Sequence, residues 1–171
     1  FYRFGDIMLL QKIKREKWIS FIVESFANTK KEISTDLAEL IPNLMQDHSW
    51  YVQQLAHYTW QKTKQKATKL EVQMAFSELI DANSPLYVRE VEGLSLTQLN
   101  FLKAVAKKEE KLSSMEMLLK YRLGTSANVV KNKAILLKAD IIDEFNGKLT
   151  FLDPAFEYWF LRQYFREEKM F

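Results

Sequence analysis

Few residues in this chain could do covalent or metal chemistry. His48 and His57 are the only imidazoles, and there is no cysteine. Thiolate nucleophiles, disulfides and cysteine metal sites are therefore excluded. On one helix, at about 100° per residue, the two histidines fall on opposite faces and cannot share a metal. Each reads as a cap or a surface residue. The acidic pairs Glu109-Glu110 and Glu167-Glu168 lie in charge runs beside lysines and arginines. They read as solvated faces rather than as general acids across a pocket. The glycines stand apart at 5, 93, 124 and 147, and neither GxxxxGKS/T nor GxGxxG can be drawn from them. With no loop to cradle phosphates, the chain is expected to have no catalytic activity of its own.

Recognition chemistry is better represented. Ser126, Asn128, Lys131, Asn132 and Lys133, with Lys138, fall on one side of a helical run whose Val130, Ala134 and Leu137 are expected to face inward. Amides, hydroxyls and lysines so placed can contact phosphates and base edges in a major groove. Lys148, in the hairpin that follows, could touch the DNA backbone. The plainer reading is an ordinary soluble helix.

The elements that would hold these residues are mostly helical. Trp18, Ile19, Ile22, Val23 and Phe26 fall at helical spacing. Ser34 or Thr35 can cap a second helix carrying Leu37, Leu40, Ile41 and Leu44, with Pro42 set to kink or split it. Ser49 can cap a third, through Leu55 to Trp60. Thr68 with Glu71 forms a capping box for a fourth, which Ala82-Asn83-Ser84-Pro85 is expected to stop, leaving a short piece over Leu86 to Val91. Ile7-Met8-Leu9-Leu10 could end a strand or open a helix.

After Gly93 the pattern changes. Ser95 with Gln98, and Ser113 with Glu116, each form a capping box, and Gly124 closes the second of these helices. Thr125 or Ser126 caps the next. Two strand-like runs, 141–145 and 148–152, flank Asn146-Gly147, which predicts a hairpin with a type I′ turn. Asp153-Pro154 opens a last helix, whose Phe156, Trp159 and Phe160 are spaced for a core rather than for base stacking. Helix, helix, helix, hairpin is the order of a winged helix-turn-helix. The predicted fold is mainly α: a helical bundle at 1–92 followed by a winged helix with a β-hairpin wing at 93–171.

Composition agrees. Hydrophobic residues make up 47% of the 171, enough for a buried core. The net charge of +3 arises wholly after residue 93, an excess that permits DNA without arguing for it. No apolar run reaches the roughly 18 residues of a membrane helix. No signal peptide is visible, and the chain opens without Met. A fragment, a processed chain or a late start is expected, with a cytoplasmic location.

The run His48-Ser49-Trp50-Tyr51-Val52-Gln53-Gln54-Leu55-Ala56, ending at Trp60, resembles part of the helical lid of a prokaryotic ATPase family. These are the STAND-type, AAA+-related P-loop ATPases of archaeal type, in which the stretch reads Gly-His-Pro, then aromatics, then a Val-Gln-Gln-Leu-like helix. Leu94-Ser95-Leu96-Thr97-Gln98 and Leu152-Asp153-Pro154-Ala155-Phe156-Glu157-Tyr158-Trp159 are similar to the family's flanks of the winged helix. Phe1-Tyr2-Arg3-Phe4 looks like the chain leaving the ATPase core. The resemblance implies a lid at 1–92, a winged helix at 93–171, and a P-loop core upstream that would hold ATP and Mg. It also implies that Asp47, His48 and Ser49 lie near bound nucleotide. Asp47 stands where Gly is usual and Ser49 where Pro is usual; His48 matches. The function so implied is the regulatory and recognition end of an ATP-dependent switch protein. The alternatives are a stand-alone winged-helix transcription regulator that binds double-stranded DNA, and a winged helix that docks a protein.

Overall fold

A computed structural model describes residues 12–166. The expectations for Phe1–Phe4, for Ile7–Leu10 and for the Glu167-Glu168 pair lie outside the described residues. The helices are α1 (Arg15–Asn28), α2 (Thr35–Leu44), α3 (Ser49–Lys62), α4 (Lys69–Glu92), α5 (Leu96–Ala106), α6 (Met115–Lys120), α7 (Ser126–Lys138) and α8 (Pro154–Phe165). One antiparallel hairpin, β1 (Ile142–Phe145) and β2 (Lys148–Phe151), separates α7 from α8. The chain divides within α4 into two compact units, the first ending at Ala75 and the second beginning at Phe76.

In the first unit, Trp18, Ile22 and Phe26 form the buried stripe of α1, and Ala38 and Ile41 that of α2. Burial of each large side chain stabilises by roughly 1.5–3 kcal/mol. The Ser34 hydroxyl caps α2 by accepting from Leu37 N. Pro42 neither splits α2 nor leaves it; it sits in the last turn of the helix, buried. The buried hydroxyls of Thr59 and Thr63 donate to the carbonyls one turn back, at 2.8 and 2.7 Å. Ser49 is not the cap of α3: His48 holds that place without a side-chain bond, and Ser49 is the first helical residue.

Ala82–Pro85 does not stop α4, which runs unbroken to Glu92. A proline in a helix interior removes one hydrogen bond and crowds the preceding turn, at about 3 kcal/mol. Tertiary packing offsets this loss. Tyr87 stacks on Phe156 at 5.0 Å and lies 5.7 Å from Trp159. The Trp159 indole donates to the Ser84 hydroxyl at 2.9 Å, and Arg162 pairs with Asp81. Asn83 donates to the Leu79 carbonyl.

Phe101, Leu102, Leu136, Phe151, Phe156 and Phe160 form the centre of the second unit. The aromatics of α8 are core, as their spacing predicts: Phe151 meets Phe160 at 5.4 Å and Phe156 meets Trp159 at 5.8 Å. Ser95 and Gln98 form the predicted capping box of α5. For α6 the cap is Ser114, one residue later than expected, accepting from Met117 N. Asp153 caps α8 with bonds from Ala155 N and Phe156 N, with Pro154 at its first position.

Candidate recognition surface

The turn before α7 fixes how that helix is presented. Arg122, at φ 51°, takes the left-handed position that closes α6, and Leu123 N reaches back to the Leu118 carbonyl at 3.0 Å. Gly124 follows at φ 83° instead of closing α6 itself. A Cβ there would meet the Asn128 side chain at 3.2 Å. Thr125 then caps α7: its hydroxyl accepts from Asn128 N, and Asn128 Oδ1 accepts from Thr125 N at 3.1 Å.

The expected inward face of α7 is corrected. Val129, Asn132 and Leu136 are buried, whereas Val130 is 66% exposed and Ala134 is exposed too. Asn132, expected to face outward as a DNA reader, is only 6% exposed, and its Nδ2 finds no partner. The reason is that α7 is aliphatic nearly all round: Val129, Val130, Ala134, Ile135, Leu136 and Leu137 allow more than one phase. Packing selected the phase that brings Asn132 in.

The other expected readers fare differently. Ser126, Asn128, Lys131 and Lys148 are exposed. Ser126 Oγ donates to the Ser113 carbonyl at 3.4 Å, and Asn128 is held in the capping box. Lys133 is paired with Glu144 of the wing at 2.7 Å, with both side chains about one-third exposed. Beside them stand residues the sequence reading left out. Ala127, Ala134, Lys138 and Lys131 run along the outer face opposite buried Asn132 and Leu136, with Val130 on its flank. In the wing Phe145 is 73% exposed, cross-strand from Lys148. Strand parity could have found it: with Ile142 buried, Asp143 and Phe145 must face out.

In the first unit, the turn before α3 has Gln46 at φ 49° and Asp47 at φ 57°. Asp47 is clamped by Arg15, with Nε at 3.0 Å from one carboxylate oxygen and Nη2 at 2.6 Å from the other. That bond raises the pKa of the Arg15 guanidinium above its ordinary value. The His48 ring lies 5.0 Å from Tyr51, and its Nδ1 is buried without a partner. His57 is exposed and stacks on Trp60 at 5.9 Å. Among the described residues no group of His, Asp and Glu could hold a metal ion. None of their helices is long and apolar enough to cross a membrane.

The order α5, α6, α7, hairpin, with a short turn between α6 and α7, meets the pattern expected of a winged helix. Residues 85–162 match a family model described as Probable winged helix domain. The second unit is a winged helix. The match begins inside α4, at the proline the helix runs through, and ends inside α8. No curated protein and no solved structure matches the chain.

Proposed function

We propose that the winged helix docks a protein through the outer face of α7 and the outer face of the wing. Winged helix domains commonly bind DNA or proteins. The observation that carries the choice is that three of the expected readers of α7 are buried or already engaged, while apolar Ala127, Val130 and Ala134 are exposed beside Lys131 and Lys138. A DNA-reading helix presents amides and cations there. Here Asn132 is buried, Asn128 serves the cap and Lys133 is neutralised by Glu144. Asp143 shares the exposed wing face with Phe145 and would repel phosphate. Small side chains let a partner's backbone come close, and Phe145 offers an aromatic anchor.

On the resemblance to STAND-type ATPases, this module is the recognition end of a switch protein. Residues 1–92 would act as lid to an upstream P-loop core holding ATP and Mg, and 93–171 as the recognition domain. The backbone at the lid turn supports the reading. Asp47 adopts the left-handed conformation glycine takes most easily, and Ser49 occupies the first helical position, where proline is favoured. Such a turn would suit a Gly-His-Pro sequence, of which His48 alone is present here.

The test places a photoreactive phenylalanine analogue at Ala134, with the same analogue at exposed Ser77 as control. The expected product is a discrete protein adduct at Ala134 only, unchanged by nuclease. A nuclease-sensitive adduct would sink the protein reading in favour of DNA.

A further inference from the structure

The wing is a two-stranded sheet with a free edge, and that edge opens into a cleft. Residues 145 and 148 flank the two-residue turn, and in such hairpins they form a hydrogen-bonded pair. The bond from Leu152 N to the Ile141 carbonyl, 3.1 Å, continues the same series. The ladder therefore uses the backbones of Lys148, Thr150 and Leu152. The N–H and C=O groups of Leu149 and Phe151 point the other way. No backbone hydrogen bond from outside the hairpin reaches them among the described residues.

On that side lies a cleft of about 770 Å³, walled by residues 108–113 of the α5–α6 loop. Lys148, Leu149, Thr150 and Phe151 all line it. Successive strand residues face opposite sides of a sheet, so a cleft touching all of them opens on the strand's edge. Val105, Leu112 and Val129 give it an apolar floor. At its rim Glu109 is held by Lys120 and Tyr121, and Glu144 by Lys133. That leaves Lys108, Lys111 and Lys148 without an ion pair among the described residues, against the carboxylates of Glu110 and of the largely buried Glu157.

We infer that this cleft takes an extended acidic segment of a partner protein, added as a third strand along β2. Its backbone pairs with Leu149 and Phe151, its apolar side chains enter the floor, and its carboxylates meet Lys108, Lys111 and Lys148. The inference rests on the protein-docking reading for the kind of partner, but on the hairpin register for the site.

The probe is a capped peptide of sequence Glu-Val-Glu-Val-Thr-Val-Glu, titrated into the isotope-labelled full chain at low salt. The amide resonances of Leu149 and Phe151 are expected to shift and to gain protection from exchange. N-methylation of alternate amides along one edge of the peptide should abolish binding; along the other edge it should leave binding intact. The peptide with Lys for Glu should not bind, and Lys108→Glu with Lys111→Glu should weaken the acidic peptide by about tenfold. Unshifted Leu149 and Phe151, or equal binding of both methylated peptides, would overturn the inference. Shifts at Val130 and Ala134 instead would overturn the edge site and leave the protein-docking reading standing. A nuclease-sensitive adduct at Ala134 with the strand pairing intact would do the reverse.

Discussion

At the wing tip Asn146 and Gly147 hold φ of 52° and 75°, the two positive values a type I′ turn requires. Nothing lies within 4 Å of a Cβ added at Gly147, so a side chain there has room and only the torsion resists it. Gly147→Val should therefore destabilise by about 1 kcal/mol, since a β-branched residue disfavours positive φ. Urea denaturation reads the difference, and an unchanged midpoint would speak against the turn. The Tyr121 phenol makes a second case. Burial first, and then its hydrogen bond to Glu109, pushes its pKa up to about 12. The neutral phenol is the form the fold favours. Its contribution is complete below the unfolded pKa near 10 and is lost as pH rises through about 12. Phenolate absorbance should show that late titration, and Tyr121→Phe should remove it; a Tyr121 titrating near 10 would contradict the packing. Turns and caps such as Asn146-Gly147, Ser95, Thr125 and Asp153 were legible because their chemistry closes within four residues. Ser49 was not legible as a non-cap, because an adjacent residue, His48, satisfies the same backbone position without using its side chain.

At the scale of elements, the sequence misjudged what tertiary contacts decide. Asn-Ser-Pro reads as a stop, yet α4 continues because Ser84 and Tyr87 are held by Trp159 and Phe156 of α8, some 70 residues away. Local propensity cannot register that contact. Pro85 is itself exposed, so replacing it costs no buried surface. Pro85→Ala should raise stability by about 1–3 kcal/mol by restoring a helical N–H one turn after Asp81. A variant that is neutral or less stable, by thermal or chemical denaturation, would mean that the helix is broken where the sequence suggested. The phase of α7 failed for a related reason. Its aliphatics surround the axis, so the stripe was ambiguous, and Asn132 fell on the wrong side of the reading. The hairpin and α8 were unambiguous, because Asn146-Gly147 fixes a turn between two short apolar runs and the aromatics of α8 recur at helical spacing.

For the whole molecule, the absence of a phosphate-cradling loop bears directly on energetics, since the backbone donors and lysine that such a loop supplies hold the nucleotide. The isolated 171-residue chain should neither turn over ATP nor bind it tightly. Micromolar binding in a nucleotide titration, or steady phosphate release, would refute this. We propose that the outer face of the winged helix meets protein rather than nucleic acid. Composition left that question open, because the +3 charge suits either partner and only the structure shows which lysines and amides are already engaged. Titration of duplex DNA at decreasing salt tests it most directly. With Lys133 paired to Glu144, only Lys131, Lys138 and Lys148 of the recognition surface remain for phosphates. Should they engage DNA, log K would fall with log salt at a slope near −3, at about −0.9 per phosphate. No saturable binding is expected even at low salt, and no difference between Lys131→Glu with Lys133→Glu and Lys62→Glu with Lys64→Glu. Saturable binding with that slope, lost in the first pair of substitutions and kept in the second, would contradict the proposal.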